Sequence, residues 1–278
     1  MKLIDSHCHL TWPDYDNDRE QVMAKMTELG VGCINIGTNP DIAKKVVDFT
    51  AQHENMWCAL GLYPSRLSGQ PILETEDAEK QFEKFNEDVY EKLLNEKVVA
   101  IGECGLDFAA WPEDASVGQK GIWESQQQEA LLAQIKFAQK HNLSVVIHCR
   151  GQYEKLFEIF RAQRAAGWTT PAILHCFTST LAEAQAGIKL GCYISFSGIL
   201  TFKSGAALRE VAKNLPQDKI LVETDAPYLA PEPYRGERCE PWMALGTAKV
   251  LAQVLGLAEA KLHAQLLANT KQAFNITF

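Results

Sequence analysis

Short apolar runs of about four or five residues recur along the chain. Each is followed by a polar turn and then by a stretch in which apolar residues return every three or four positions. The runs read as buried strands and the periodic stretches as amphipathic helices. Eight strands are predicted, at 3–6, 33–37, 57–60, 98–102, 144–148, 172–175, 192–196 and 220–223. Seven helical patterns lie between them, and one or two follow the last strand; the clearest span 19–29, 42–52, 125–140, 153–164 and 181–190. The third crossover, after Pro64, is the least regular, and its helix is assigned to 77–95. Tyr193-Ile194-Ser195-Phe196-Ser197 reads as a strand running into a turn at Gly198.

Strict strand–helix alternation implies a parallel sheet with helical crossovers. Eight such units predict the α/β class and a closed (β/α)8 TIM barrel, a single domain over residues 1–278. An open doubly wound sheet is the alternative, and it normally carries a glycine-rich nucleotide loop after its first strand. Here that strand ends in His7-Cys8-His9 instead.

Composition narrows the picture further. Apolar residues make up 46% of the 278 positions and charged residues 22%, which excludes a disordered chain. The net charge of −8 argues against broad, non-specific binding to nucleic acid, yet it is compatible with a carboxylate-rich site neutralised by cations. The opening residues Met1-Lys2-Leu3-Ile4-Asp5 lack the long apolar stretch of a leader. No apolar run approaches the roughly 20 residues of a membrane span. Eight cysteines lie scattered without a CxxC pair, as expected of reduced thiols, so a cytoplasmic protein is expected.

Ionisable residues fall at the C-terminal ends of the predicted strands: His7 and His9 on the first, Glu103 on the fourth, His148 on the fifth, His175 on the sixth and Asp225 on the eighth. In a barrel these ends converge on one mouth, where active sites of this fold lie. His7 and His9 are two apart on a strand, so both imidazoles point the same way and can grip one metal. Four histidines and two carboxylates exceed what one catalytic zinc requires, so the set predicts two divalent ions, Zn, Mn, Fe, Co or Mg. The first is assigned to His7, His9, Glu103 and Asp225, and the second to Glu103, His148 and His175, with Glu103 as the bridge. Such a pair activates a shared water for hydrolysis. Asp225 is also placed to accept that water's proton, a helix N-cap being its structural alternative. Cys8, Cys104, Cys149 and Cys176 each adjoin a proposed ligand, but strand alternation points them away from the ligand side.

Together these motifs resemble the TatD family of metal-dependent deoxyribonucleases, within the wider amidohydrolase-like barrels. The resemblance rests on Asp5-Ser6-His7-Cys8-His9-Leu10, Ile101-Gly102-Glu103-Cys104-Gly105-Leu106-Asp107-Phe108, Val146-Ile147-His148-Cys149-Arg150, Leu174-His175-Cys176-Phe177-Thr178 and Glu223-Thr224-Asp225-Ala226-Pro227-Tyr228-Leu229, and it spans residues 4 to 243. It implies a metal-dependent nuclease acting on DNA as exonuclease or endonuclease, the exonuclease being preferred. The proposed ligands fall on matching motif positions.

Two segments depart from the family pattern. Where the family commonly has Gly-Val-His-Pro-His, with its first histidine facing the scissile phosphate, this chain reads Gly61-Leu62-Tyr63-Pro64-Ser65. Tyr63 is the residue expected to act there; it can donate a hydrogen bond but supplies no positive charge. After the last strand, Arg235-Gly236-Glu237-Arg238-Cys239-Glu240-Pro241 resembles the family's Arg-Gly-Lys-Arg-Asn-Glu-Pro segment. Arg235 and Arg238 are candidate phosphate ligands, with surface solvation or ion pairs to Glu237 or Glu240 as the alternative. Arg150, beside His148, is the preferred phosphate contact, and Tyr63, Tyr228 and Tyr234 are candidates for stacking on bases. Two rival functions stay open: a two-metal hydrolase of a small ester, amide or phosphoester, and a barrel that binds metal with weak catalysis.

Overall fold

The computed structural model describes residues 1–67, 84–109, 111 and 114–277. Eight parallel strands run in chain order: β1 (Leu3–Cys8), β2 (Val31–Gly37), β3 (Met56–Leu60), β4 (Val98–Asp107), β5 (Ser144–Arg150), β6 (Ala172–Leu174), β7 (Cys192–Phe196) and β8 (Ile220–Val222). The sheet closes where the chain beyond β8 meets β1: the Asp225 N–H donates to the His7 carbonyl (2.9 Å) and the His9 N–H to the Ala226 carbonyl (2.8 Å). The fold is the predicted (β/α)8 barrel.

Around it lie α1 (Arg19–Leu29), α2 (Pro40–Thr50), α3 (Glu87–Glu91), α4 (Val117–Lys140), α5 (Tyr153–Ala165), α6 (Leu181–Lys189), α7 (Ala206–Lys213), α8 (Ala244–Leu255) and α9 (Glu259–Ala273). α1 matches its prediction, whereas α4 begins eight residues earlier than the apolar pattern implied. Its first two turns expose Val117 and Ile122 and so carry no buried stripe. They are set instead by a capping box, in which Ser116 and Gln119 satisfy each other's backbone N–H groups. Of the helix expected over 77–95, residues 77–83 lie outside the described residues, and α3 occupies Glu87–Glu91.

Two apolar layers hold the barrel. The outer one packs strand residues such as Leu60, Ile101, Ile147 and Phe196 against the helices. α5 contributes Leu156, Phe157 and Phe160, buried side chains of the kind worth about 1.5–3 kcal/mol each. The inner layer, including Ile4, Ile34, Ile36, Ala59, Val146, Ile173 and Leu221, fills the barrel above a floor made by Phe274 and Ile276, beyond α9. No single helix among the described residues is long and apolar enough to cross a membrane.

Candidate metal centre at the barrel mouth

Strict alternation along β1 would carry Ile4 and Ser6 inward and leave His7 facing the helices. The register against β2 shifts between Asp5 and Cys8, where three steps on β1 match two on β2. This bulge lets His7 follow Ser6 on the inner side while Cys8 joins the outer layer. A second bulge interrupts β4 between Ile101 and Cys104, and it does the same for Glu103. β4 then continues beyond the predicted end at Gly102, carrying Asp107 to the mouth as well. The close approach of β4 to β5 needs glycine. Gly105 has φ +148°, and a Cβ there would lie 1.9 Å from the His148 carbonyl oxygen.

All six predicted ligands converge. Ligating atoms of His7, His9 and Asp225 form one group within 4.8 Å of one another, and those of Glu103, His148 and His175 form a second. Glu103 Oε2 lies 3.4 Å from His7 Nε2. Its Oε1 lies 2.9 Å from His148 Nδ1 and 2.8 Å from His175 Nε2. His7 Nε2 and His9 Nε2 approach Asp225 Oδ1 at 3.5 and 3.6 Å. No helix begins at Asp225; it adopts φ +61° in the turn after β8, so the N-cap alternative does not apply.

Electrostatics follow from this crowding. Burial alone would raise the Glu103 carboxyl, but the charge on His175 and hydrogen bonds from His148 and His175 hold it well below the usual range. Burial opposes charge on His175, yet Glu103 and Glu223 lift it well above an ordinary imidazole. His148 is raised against burial by Asp107 and Glu103. His7 is lowered, first by burial and then by the nearby His175 charge. Both ring nitrogens of His7 and Nδ1 of His9 are buried with no hydrogen-bond partner among the described residues. Stranding such groups is costly, and cation ligation resolves the cost for a ring nitrogen facing a carboxylate. The donor set of imidazoles and carboxylates therefore fits divalent cations, which would require His148 and His175 to ligate as neutral imidazoles.

Above these groups opens a pocket of about 380 Å3. Tyr63, Trp12 and Tyr228 form its aromatic wall, and Arg150 its cationic side. The Tyr63 hydroxyl lies 3.5 Å from His148 Nε2, and burial, followed by Glu103 and Asp107, pushes it well above its usual pKa. Arg150 reaches the pocket, while Arg235 and Arg238 are not among its lining side chains. Arg235 sits 4.4 Å over the Phe202 ring. Arg238 pairs with both oxygens of Asp18 at 2.7 Å and with Glu240 at 3.0 Å, the ion-pair alternative for that residue. Tyr234 packs on Trp242 rather than facing the pocket.

Cys8 and Cys104 point away from the ligands, as alternation predicted, with their thiols on the Ile34 and Val146 carbonyls. Cys149 likewise packs against the outer apolar layer, whereas Cys176 departs from that expectation and reaches the pocket wall. Cys176 lies beyond β6 at φ +43°, where strand alternation no longer applies. Sequence reasoning also gave no role to two carboxylates. Glu223 Oε1 lies 3.3 Å from His175 Nδ1 and accepts from the Cys176 N–H at 2.6 Å. Asp107 Oδ2 lies 3.0 Å from His148 Nε2. Their spacings, Glu223 two before Asp225 and Asp107 four after Glu103, were the available signal.

A parallel barrel whose strand ends gather histidines and carboxylates around one pocket belongs to the metal-dependent hydrolases. The sequence profile described as TatD related DNase matches residues 4–275, and the chain belongs to that family. It is 32% identical over 280 residues to the "Uncharacterized metal-dependent hydrolase YcfH" of Escherichia coli strain K12, covering 99% of this chain and 97% of that protein. It is 31% identical over 284 residues to the "3'-5' ssDNA/RNA exonuclease TatD" of the same strain, covering 99% of this chain and 100% of that one. Among solved structures, the TatD homologue YjjV from Escherichia coli K12 superposes with a TM-score of 0.81 at 26% identity, over 99% of each chain.

Proposed function

We propose that this protein is a two-metal phosphodiesterase that removes nucleotides from the ends of DNA chains. His7, His9, Glu103 and Asp225 would hold one ion, and Glu103, His148 and His175 the other. The observation that carries this reading is the division of Glu103, one oxygen toward His7 and the other toward His148 and His175. The full-length similarity to an enzyme named as a single-stranded DNA and RNA exonuclease supports the substrate class.

When bound, the cations supply an activated water and neutralise charge developing on the phosphodiester. The chain's own groups do the rest. Asp225, held below the usual carboxylate range against burial by His9 and His7, is an ionised acceptor for a proton. Tyr63, kept protonated, donates a hydrogen bond toward the phosphate, and Arg150 holds a non-reacting oxygen. The eight unpaired cysteines suit a reducing compartment, and we place the protein in the cytoplasm.

Metal analysis of the purified protein followed by digestion of 3′- and 5′-labelled single- and double-stranded DNA tests this reading. Two ions per chain and loss of label from one end are expected. Ions without nucleolysis, together with turnover of small phosphoesters, would favour the small-substrate rival. Glu103→Ala should remove both metal content and activity; loss of metal with unchanged activity refutes the reading.

A further inference from the structure

Asp107 stands at the end of β4 with only 5% of its surface exposed. Its Oδ2 lies 3.0 Å from His148 Nε2, and on the other side of the ring His148 Nδ1 lies 2.9 Å from Glu103 Oε1. Both nitrogens of this imidazole therefore face carboxylates, but the two carboxylates are not equivalent. Glu103 is shared among three histidines. Asp107 is fixed from outside that cluster. Its Oδ1 accepts from the Ala109 N–H at 3.1 Å. Its backbone is gripped by Gln127 of α4, which accepts from the Asp107 N–H at 2.9 Å and donates to the Asp107 carbonyl at 3.1 Å. Gln127 is completely buried, so this hold is built into the packing of α4 on β4.

A neutral imidazole carries one N–H, and its tautomer is chosen by what the other nitrogen meets. With the proton on Nε2, His148 donates to Asp107 and turns the Nδ1 lone pair toward Glu103 and His175. With the proton on Nδ1, the Nε2 lone pair would oppose the lone pairs of Asp107, and nothing on the ring could ligate an ion beside Glu103. We propose that Asp107 is a positioning residue that locks His148 in the Nε2–H tautomer and so presents Nδ1 to the ion shared with Glu103 and His175. The inference rests on the reading of His148 as a metal ligand, which the two-step metal titration of the unaltered protein tests separately.

The experiment titrates Zn²⁺ and Co²⁺ into the stripped full-length protein, with His148→Ala identifying which step belongs to this ion. Outer-sphere carboxylates of this kind contribute about 10–100-fold to metal affinity, so Asp107→Ala should weaken that step by this factor and the other by less than about threefold. Asp107→Asn should recover much of the loss, because its side-chain oxygen still accepts from Nε2–H. The ¹⁵N spectrum of histidine-labelled, Zn-loaded protein gives a readout that needs no variant: the His148 proton should sit on Nε2. Unchanged affinity in Asp107→Ala, equal weakening of both steps, or a proton on Nδ1 overturns the proposal. A protein that takes up no ion in this group overturns both the proposal and the ligand assignment beneath it.

Discussion

Asp5 is the seam between the first and last strands, and its loss should be felt in both stability and metal uptake. It is fully buried, as is Thr224. Oδ1 accepts from the N–H groups of His7 (3.2 Å) and Thr224 (2.9 Å), and Oδ2 from the Thr224 hydroxyl (2.5 Å). Asp5→Ala strands three buried donors at once. Each stranded donor costs about 1–3 kcal/mol, and because all three share one carboxylate their costs overlap, giving an expected loss of about 3–5 kcal/mol. Against a typical domain stability of about 5–15 kcal/mol this is a large fraction. Asp5→Asn keeps Oδ1 for both backbone donors and should lose only about 1–2 kcal/mol. The assay is urea unfolding of the metal-stripped variants, followed by tryptophan fluorescence and circular dichroism, with a parallel metal titration. Because the seam sets His7 and His9 against Asp225, Asp5→Ala should also weaken the ion those residues hold. A loss below about 1.5 kcal/mol for alanine, or equal losses for alanine and asparagine, would refute the bracing argument.

Tyr63→Phe, which removes one pocket hydroxyl, should lower kcat by about 10–100-fold with KM nearly unchanged; since burial and the neighbouring carboxylates raise the Tyr63 pKa, the unaltered protein should show no tyrosine limb in its rate profile up to pH 10. Tyr228 is 39% exposed and lies edge-on to Trp12 at 5.9 Å, so Tyr228→Ala should raise KM for oligonucleotides by about 5–100-fold, the worth of one stacked base, and leave hydrolysis of a small phosphodiester unchanged. Glu183 caps α6, and although burial opposes it, hydrogen bonds from Ser179 and Thr180 lower its pKa. Its stabilising contribution is therefore present above the unfolded carboxylate pKa and lost as pH falls through the lower folded value. Glu183→Gln should cost about 0.5–1 kcal/mol at pH 7, a difference that disappears in acid; a deficit that persists below the carboxylate range would contradict this sign.

The barrel was legible because its strands bury both faces. β7 needs no more than its apolar run, and its predicted and observed limits agree. The six convergent residues were legible for a related reason: His148 and His175 each end an apolar run, and a barrel brings all such ends together. What could not be read locally was which side of a strand they face. The bulges in β1 and β4 depend on pairing with β2 and β5, a tertiary property that no single segment encodes. Asp107 was missed for the same reason, since β4 was ended at Gly102. Arg235 and Arg238 looked equal to Arg150 in charge, but their surroundings differ: Asp18, Glu240 and Phe202 come from elsewhere in the chain.

The two bulges also separate the lower barrel from its rim. Each extra residue acts as a half-period phase slip, so the parity that serves Ile4 at the foundation places no demand on the parity that serves His7 above it. Foundation and rim can then vary independently, and the chemistry at the top can be revised without disturbing the apolar plug beneath. Straightening either slip at unchanged chain length would delete no ligand, yet it would swing His7 and His9, or Glu103 and Asp107, from the cavity into the helical layer.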